Sequence, residues 1–285
     1  MTSIRKVYPD DFEQIYPLLL EFNNPLLDRE GWRELFVRRW RSPEEHVGYC
    51  LESGGQVVGF LGTIFSQRQI SDAQYKFCNL STWVVKKEHR GASLLLLFEV
   101  LKLKDYTITN FTANRVAKIL RRLGFEDLAA RLHIIIPLPT PAALFSQVKL
   151  YTEPAAIEVR LQGEALTIRQ DHAGLKCNHL LVEHHGELCY LVFDIVRKKR
   201  LPVARIHYIS NLAFFTMYAQ RFTWAACLKT HTAGLLVSEN LLRHSAVRGA
   251  LVIPQKQALV YRSASLGRED IDTLYGELQV LGLRT

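Results

Sequence analysis

Residues 83–102 read WVVKKEHRGASLLLLFEVLK. β-branched and aromatic residues run into a basic stretch, Arg90-Gly91 follows, and four leucines open a segment of helical length. The pattern is that of a strand passing through a small-residue turn into an apolar helix. The first turn of such a helix carries unpaired N–H groups and the positive end of the macrodipole, so a phosphate can rest there. The same pattern also serves as a plain strand–turn–helix joint in an α/β core, so the rest of the chain has to decide.

Working towards the N-terminus, QVVGFLGTIFSQRQI and HVGYCLES flank Gly54-Gly55 as a hairpin. YKFCNLSTWVV is the strand that feeds the turn. SIRKVY reads as a first strand. PDDFEQIYPLLLEF reads as a helix kinked by Pro17, and DREGWRELFVRRW as a second helix. Towards the C-terminus, YTITNFTA is a strand and NRVAKILRRLGF a helix stopped at Gly124. HIIIPL is a further strand. PLPTPAALF, 137–145, reads as a boundary. Beyond it HLLVEHHGELCYLVFDIV is a hairpin, PVARIHYIS a strand, LAFFTMYAQRFTWAACLKT one long helix, AGLLVSE and QALVYRS strands, and DIDTLYGELQVLG a closing helix. The order hairpin, strand, helix, strand occurs on both sides of 137–145. It predicts an α/β fold with a mixed, mostly antiparallel sheet, built as a tandem repeat with units at 1–140 and 150–285, each with its own sheet.

The 285 residues carry 36 Lys and Arg against 28 Asp and Glu, a net charge of +8. A mild excess suits an anionic ligand such as a phosphate-bearing cofactor. The clusters RRWR (38–41) and RKKR (197–200) are the densest cationic stretches; no nucleic-acid recognition motif accompanies them. No apolar run approaches the roughly 18 residues of a membrane span, and the N-terminus lacks a signal-peptide core. The five cysteines are scattered, with no metal-type spacing, as expected of thiols in a reducing cytoplasm. His184 and His185 sit in a hairpin turn with no third ligand placed by the sequence, so no metal is expected.

VVKKEHRGASLLLL and ANRVAKILRRLGFEDL give residues 3–138 a resemblance to the GNAT N-acyltransferase superfamily. The second half is then a degenerate copy, with HYISNLAFFTMY and no glycine at the phosphate turn. The resemblance implies acetyl-CoA or another acyl-CoA as co-substrate, held where the fourth and fifth strands splay apart. The pantetheine arm would lie beside Val84 and Val85. The pyrophosphate would meet the N–H groups of Arg90, Gly91, Ala92 and Ser93, with Leu94 and Asn114 nearby. It implies acyl transfer to a small-molecule or peptide amine by direct transfer in a ternary complex. The alternative is a non-catalytic acyl-CoA sensor or scaffold on the same fold.

Two positions depart from the family pattern. Leu95 stands where a small residue is usual, and Leu120 where many members carry a tyrosine that protonates the leaving thiolate. An amine must be neutral to attack, so a base is needed. The strand candidates are Asn79 and Ser81 on one face, with Cys78 and Thr82 on the other. His133 is a further candidate, and Cys78 a nucleophile only if exposed.

Overall fold

Gly54 and Gly55 adopt φ of +59° and +76°, which lets two residues reverse the chain and fixes the register of the first hairpin. The computed structural model describes residues 2–70, 73–144, 147–243 and 245–283. Its strands are β1 (Thr2–Val7), β2 (Gly48–Ser53), β3 (Gln56–Ile70), β4 (Ala73–Val85), β5 (Tyr106–Thr112), β6 (Glu126–Ile135), β7 (Lys149–Tyr151), β8 (Asn178–His184), β9 (Glu187–Lys198), β10 (Leu201–Ile209), β11 (Leu235–Ser238) and β12 (Ala250–Arg262). Its helices are α1 (Phe12–Leu19), α2 (Arg29–Arg33), α3 (Ser93–Leu101), α4 (Asn114–Arg122), α5 (Pro141–Leu144), α6 (Pro154–Glu158), α7 (Gly163–Asp171), α8 (Leu212–Met217), α9 (Ala219–Thr230) and α10 (Glu277–Val280).

All twelve strands form one sheet in the order β1-β2-β3-β4-β5-β12-β6-β11-β10-β9-β8-β7. Two pairs are parallel, β4–β5 and β10–β11, and the remainder are antiparallel. The order reads the same from either end when β6 and β12 are taken as counterparts. Instead of two sheets there is one, because each half lends its last strand to the other. β12 pairs with β5, and β6 pairs with β11. The exchange closes two sheet edges that separate units would leave exposed.

One face of the sheet is covered by α3 and α4 over Cys78, Leu80, Ile108 and Val260, and by α8 and α9 over Ala204, Leu235 and Val237. On the other face α1 and α2 pack against Phe60 and Ile64, and α6 and α7 against Leu181, Tyr190 and Val192. The C-terminal segment threads between these last two groups. Leu274 and Tyr275 join the core under α6 and α7, while Val280 and Leu281 join the core under α1 and α2. Polar ties fix its path. Buried Arg68 on β3 pairs with Asp272 and, at 2.7 Å, with Glu164. His172 Nε2 bonds the Leu274 carbonyl at 3.0 Å, and Asn240 Nδ2 donates to the Ile271 carbonyl at 2.6 Å.

Three helices differ from the sequence reading. The helix expected over 28–40 is α2 plus a 3-10 turn ending at Phe36. Trp40 lies beyond it, where its indole N–H donates to the Phe65 carbonyl at 2.8 Å. The single helix over 212–230 breaks at Tyr218 into α8 and α9. The closing helix shrinks to the one turn of α10, because Gly276 is extended and the ties to Arg68 and His172 hold 271–275 open. Phe145, at the end of the expected boundary stretch, lies outside the described residues. Among the described residues no helix is long and apolar enough to cross a membrane.

Candidate active site

β4 and β5 run side by side from Lys76–Tyr106 to Leu80–Asn110 and then part. Beyond Leu80, β4 continues to Val85 with β3 as its strand partner, while β5 turns to β12. The β5-facing edge of Ser81–Val85 therefore has no partner strand. Apart from the Thr82 N–H, which bonds the Glu277 carboxylate, the backbone N–H and C=O groups on this edge can bind an extended ligand as an added strand. Val84 and Val85, expected beside the pantetheine arm, both lie on this edge.

A β-bulge marks the start of the opening. Trp83 pairs with Leu61 and Ser81 with Gly62, which leaves Thr82 as the extra residue at φ +37°. Gly62 makes the bulge possible, since a Cβ there would lie 2.7 Å from Thr82 Oγ1. The bulge takes the Thr82 N–H out of the ladder and turns it to the Glu277 carboxylate, to which the Ser81 hydroxyl also donates. Asn79 secures the same segment. Its Nδ2 donates to Thr109 Oγ1 at 2.9 Å, and its Oδ1 accepts from the Glu277 N–H at 3.1 Å. Part of Glu277 remains accessible to solvent, yet its carboxyl is enclosed by protein. Burial pushes that carboxyl up to about 7, against the two hydrogen bonds, which favour the ionised form. The site thus holds a carboxylic acid able to take or give a proton near neutrality.

Asn79 and Ser81 are thus brought together as expected from strand alternation, but as supports of a carboxylate. Glu277 was not among the sequence candidates. It comes from 196 positions beyond Ser81, at the start of the one-turn helix α10, with no motif of its own. The signal available was a lone carboxylate in the apolar run LYGELQVL, 274–281.

The turn after β4 is a 3-10 helix over Lys87–Ala92 that leads directly into α3. The His89 N–H donates to the Lys86 carbonyl at 2.9 Å, and the Ser93 N–H to the Arg90 carbonyl. The cradle expected from four N–H groups at Arg90–Ser93 is thus partly wound up. The donors without an intrahelical partner shift towards the start of the turn, at Lys87 and Glu88. Arg90 and Gly91 are exposed, Ala92 and Ser93 half-buried, and a Cβ on Gly91 would meet nothing within 4 Å. Leu94 and Leu95 point outward, so Leu95 does not crowd the turn.

The other candidates stand apart. His133 lies on β6, three strands and roughly 14 Å from β4. Alternation puts it on the opposite sheet face with Ile135, so it does not reach Ser81. Cys78 is fully buried beneath α3 and α4, and burial raises its thiol above the ordinary range. It cannot act as a nucleophile there. Leu120 is part of the same core. Asn114 is exposed, and its Nδ2 donates to the Lys256 carbonyl at 3.2 Å.

The sequence matches no family profile and no curated relative. Its fold, however, matches solved structures over nearly its whole length. A probable N-acyltransferase from Enterococcus faecalis superposes with a TM-score of 0.61 at 13% identity, covering 94% of this chain and 74% of that one. A GCN5-related N-acetyltransferase from Anabaena variabilis gives 0.60 at 13% identity with the same coverage. One from Kribbella flavida gives 0.58 at 16%, covering 92% and 71%. The chain therefore has the fold of the GCN5-related N-acetyltransferases, with a mixed and mostly antiparallel open sheet.

Proposed function

We propose that the protein is an acyl-CoA-dependent N-acyltransferase that moves an acetyl or other acyl group to an amine by direct transfer in a ternary complex. The observation that carries this reading is the Glu277 carboxyl, held by Ser81 and the Thr82 N–H at the residues where β4 leaves β5 and pushed by burial to about 7. Residues 1–140 would form the acyl-CoA-binding part. Residues 150–285 would return the segment that carries the acid–base group.

The residues present fit an acyl-CoA. The unpaired edge of β4 at Trp83–Val85, beyond the Thr82 N–H that holds Glu277, suits the amide-bearing pantetheine arm. The turn at Lys87–Ala92 offers N–H donors, the Arg90 charge and an unobstructed Gly91 for the pyrophosphate, with Ser93 and Leu94 continuing the helix. A bound acyl-CoA supplies an activated acyl group. In its ionised form Glu277 takes a proton from the acceptor amine, and in its protonated form it can return one to the departing sulfur. Ser81 and the Thr82 N–H keep the carboxylate aimed, and Asn79 anchors its backbone. A covalent route through Cys78 is sterically closed, since the thiol lies on the other side of the sheet. With Leu120 in the core, Glu277 is also the acid that replaces a tyrosine at that position. Proximity supplies much of the remaining acceleration.

The test is an amine panel of amino acids, polyamines, amino sugars and peptides, with acetyl-CoA and longer acyl-CoAs, read by release of free thiol. Transfer to at least one amine, lost in Glu277→Gln with CoA affinity retained, is the expected result. Calorimetric CoA binding with no active amine would instead favour the sensor function.

A further inference from the structure

The face of the sheet that carries the C-terminal segment is not covered evenly. Between the helices of the two halves lies a groove of about 900 Å3 over β12, β6, β11 and β10. That volume is near the top of the roughly 300–1,000 Å3 range of small-molecule sites. Leu132, Ile134, Val203, Leu236, Leu251 and Ile253 form its floor and sides. Along β10 it runs from Leu201 to His207, roughly 20 Å at the rise of an extended chain.

Charge is distributed unevenly along it. Arg197, Lys198 and Lys199 stand at the outer end, and Lys256 reaches in from the β12 bulge at 255–257. Among the described residues, no carboxylate lines the groove. At the inner end Arg205 is matched by Asp194, with Nε to Oδ1 at 3.0 Å, so that end is electrically balanced. No ion pair described for this protein takes up Lys198, Lys199 or Lys256. The Lys198 ammonium is held below its ordinary range first by partial burial, then by repulsion from Arg205 and Lys256, with the Asp194 carboxylate opposing them. The turn that presents the cluster is itself unusual. Lys199 and Arg200 occupy the two central positions of a tight hairpin at φ +48° and +72°, where glycine or asparagine is the ordinary choice. Cations are thus retained at a backbone cost, beside an apolar trough.

We propose that this groove binds a single-chain anionic amphiphile, its acyl tail lying over Leu132, Ile134, Leu236 and Ile253 and its head at Lys198, Lys199 and Lys256. The site is separate from the β4–β5 opening, and the inference does not depend on the acyl-transfer reading. A carboxylate and a phosphate head share the required chemistry, and a single extended chain matches a trough roughly 20 Å long with cations at one end, floored by the sheet and bordered by Thr273 and Leu278 of the C-terminal segment.

The test is calorimetry on the full chain with monomeric palmitate, 1-palmitoyl lysophosphatidic acid, hexadecanol and hexadecyltrimethylammonium. Saturable one-to-one binding of the two anionic compounds is expected, with their ratio identifying the preferred head. The neutral and cationic compounds should bind at least about tenfold more weakly. The double variant Lys198→Glu/Lys256→Glu should lose about tenfold or more for palmitate, and Ile134→Trp should block binding. Both should retain the wild-type circular dichroism spectrum. The proposal is overturned if hexadecanol binds as tightly as palmitate, or if the lysine variant binds like wild type. It is equally overturned if the protein binds phosphatidylglycerol vesicles but no monomer.

Discussion

The two parallel strand pairs, β4–β5 and β10–β11, have the same topology but different fates. In the first, pairing stops at Leu80–Asn110, a bulge at Thr82 follows, and a carboxylate is bonded to Ser81 and the Thr82 N–H at the start of the unpaired strand edge. In the second, pairing stops at Ile206–Val237 and a bulge follows at His207. There the bulged side chain is 2% exposed at the inner end of the groove, with Nδ1 3.1 Å from Thr273 Oγ1 and Nε2 3.4 Å from Asp194. Burial lowers the basicity of that imidazole. The chain then enters α8 through an Asn211 cap, with no glycine at the turn. The fold makes an opening twice, and side-chain chemistry decides which one can take an acyl-CoA: the second borders the apolar groove at Ile206 and His207, but among the described residues no carboxylate lines it there and its turn has no glycine.

The largest expected effect comes from removing the proton carrier from the open slot. Glu277→Gln should lower kcat/KM by about 10²–10⁴, the usual worth of a general acid–base, with CoA affinity unchanged in calorimetry. The wild-type rate should rise with pH through about 7 as Glu277 ionises, and the variant should lack that limb. Stability should shift in the opposite direction. The folded carboxyl is raised above its ordinary 4.5, so the native state holds a proton that the unfolded chain releases. Stability is therefore lost as pH rises from about 4.5 to about 7 and is flatter in Glu277→Gln. Urea unfolding at pH 5 and pH 8 measures both slopes.

A second effect concerns what holds Glu277 in place. Arg68→Met leaves the nearly buried Asp272 carboxylate uncompensated and takes the partner from half-buried Glu164, and should cost roughly 3–5 kcal/mol in urea unfolding. Catalysis should fall with it, as the C-terminal segment loosens. An unchanged midpoint would mean that Arg68 does not fix that segment.

A smaller effect is expected at the turn. Gly91→Val adds atoms where the structure has open space, so the fold should persist while CoA binding weakens by about tenfold or more. Unchanged affinity would move the pyrophosphate elsewhere. The smallest effect belongs to the second slot, where His207→Gln should leave CoA affinity unchanged. A loss there would mean that the second opening is also used.

The contrast between slots was partly written in the sequence. Hairpin glycines, the Arg90-Gly91 turn and the stop at Gly124 are local signals, and they placed most first-half elements, with Asn79 and Ser81 on one face. The exchange of β6 and β12 had no local signature, because β12 finds β5 across more than 130 residues and either strand would pair with any open edge. Glu277 was hidden for a related reason. Its role depends on Arg68, His172 and Asn79 folding a non-helical segment back onto β4, while its apolar neighbours suggested a core helix. The 3-10 winding at Lys87–Ala92 likewise depends on how Lys86 is pinned to Val58, which composition does not report.

Acyl-CoA should occupy the first slot and not the second, which hydrogen–deuterium exchange with and without CoA can read amide by amide. Protection should appear in amides 81–88, along the open β4 edge and the start of the turn, while amides 206–214 exchange at the same rate in both conditions. Protection confined to 206–214, or none in either region at saturating CoA, would contradict the account.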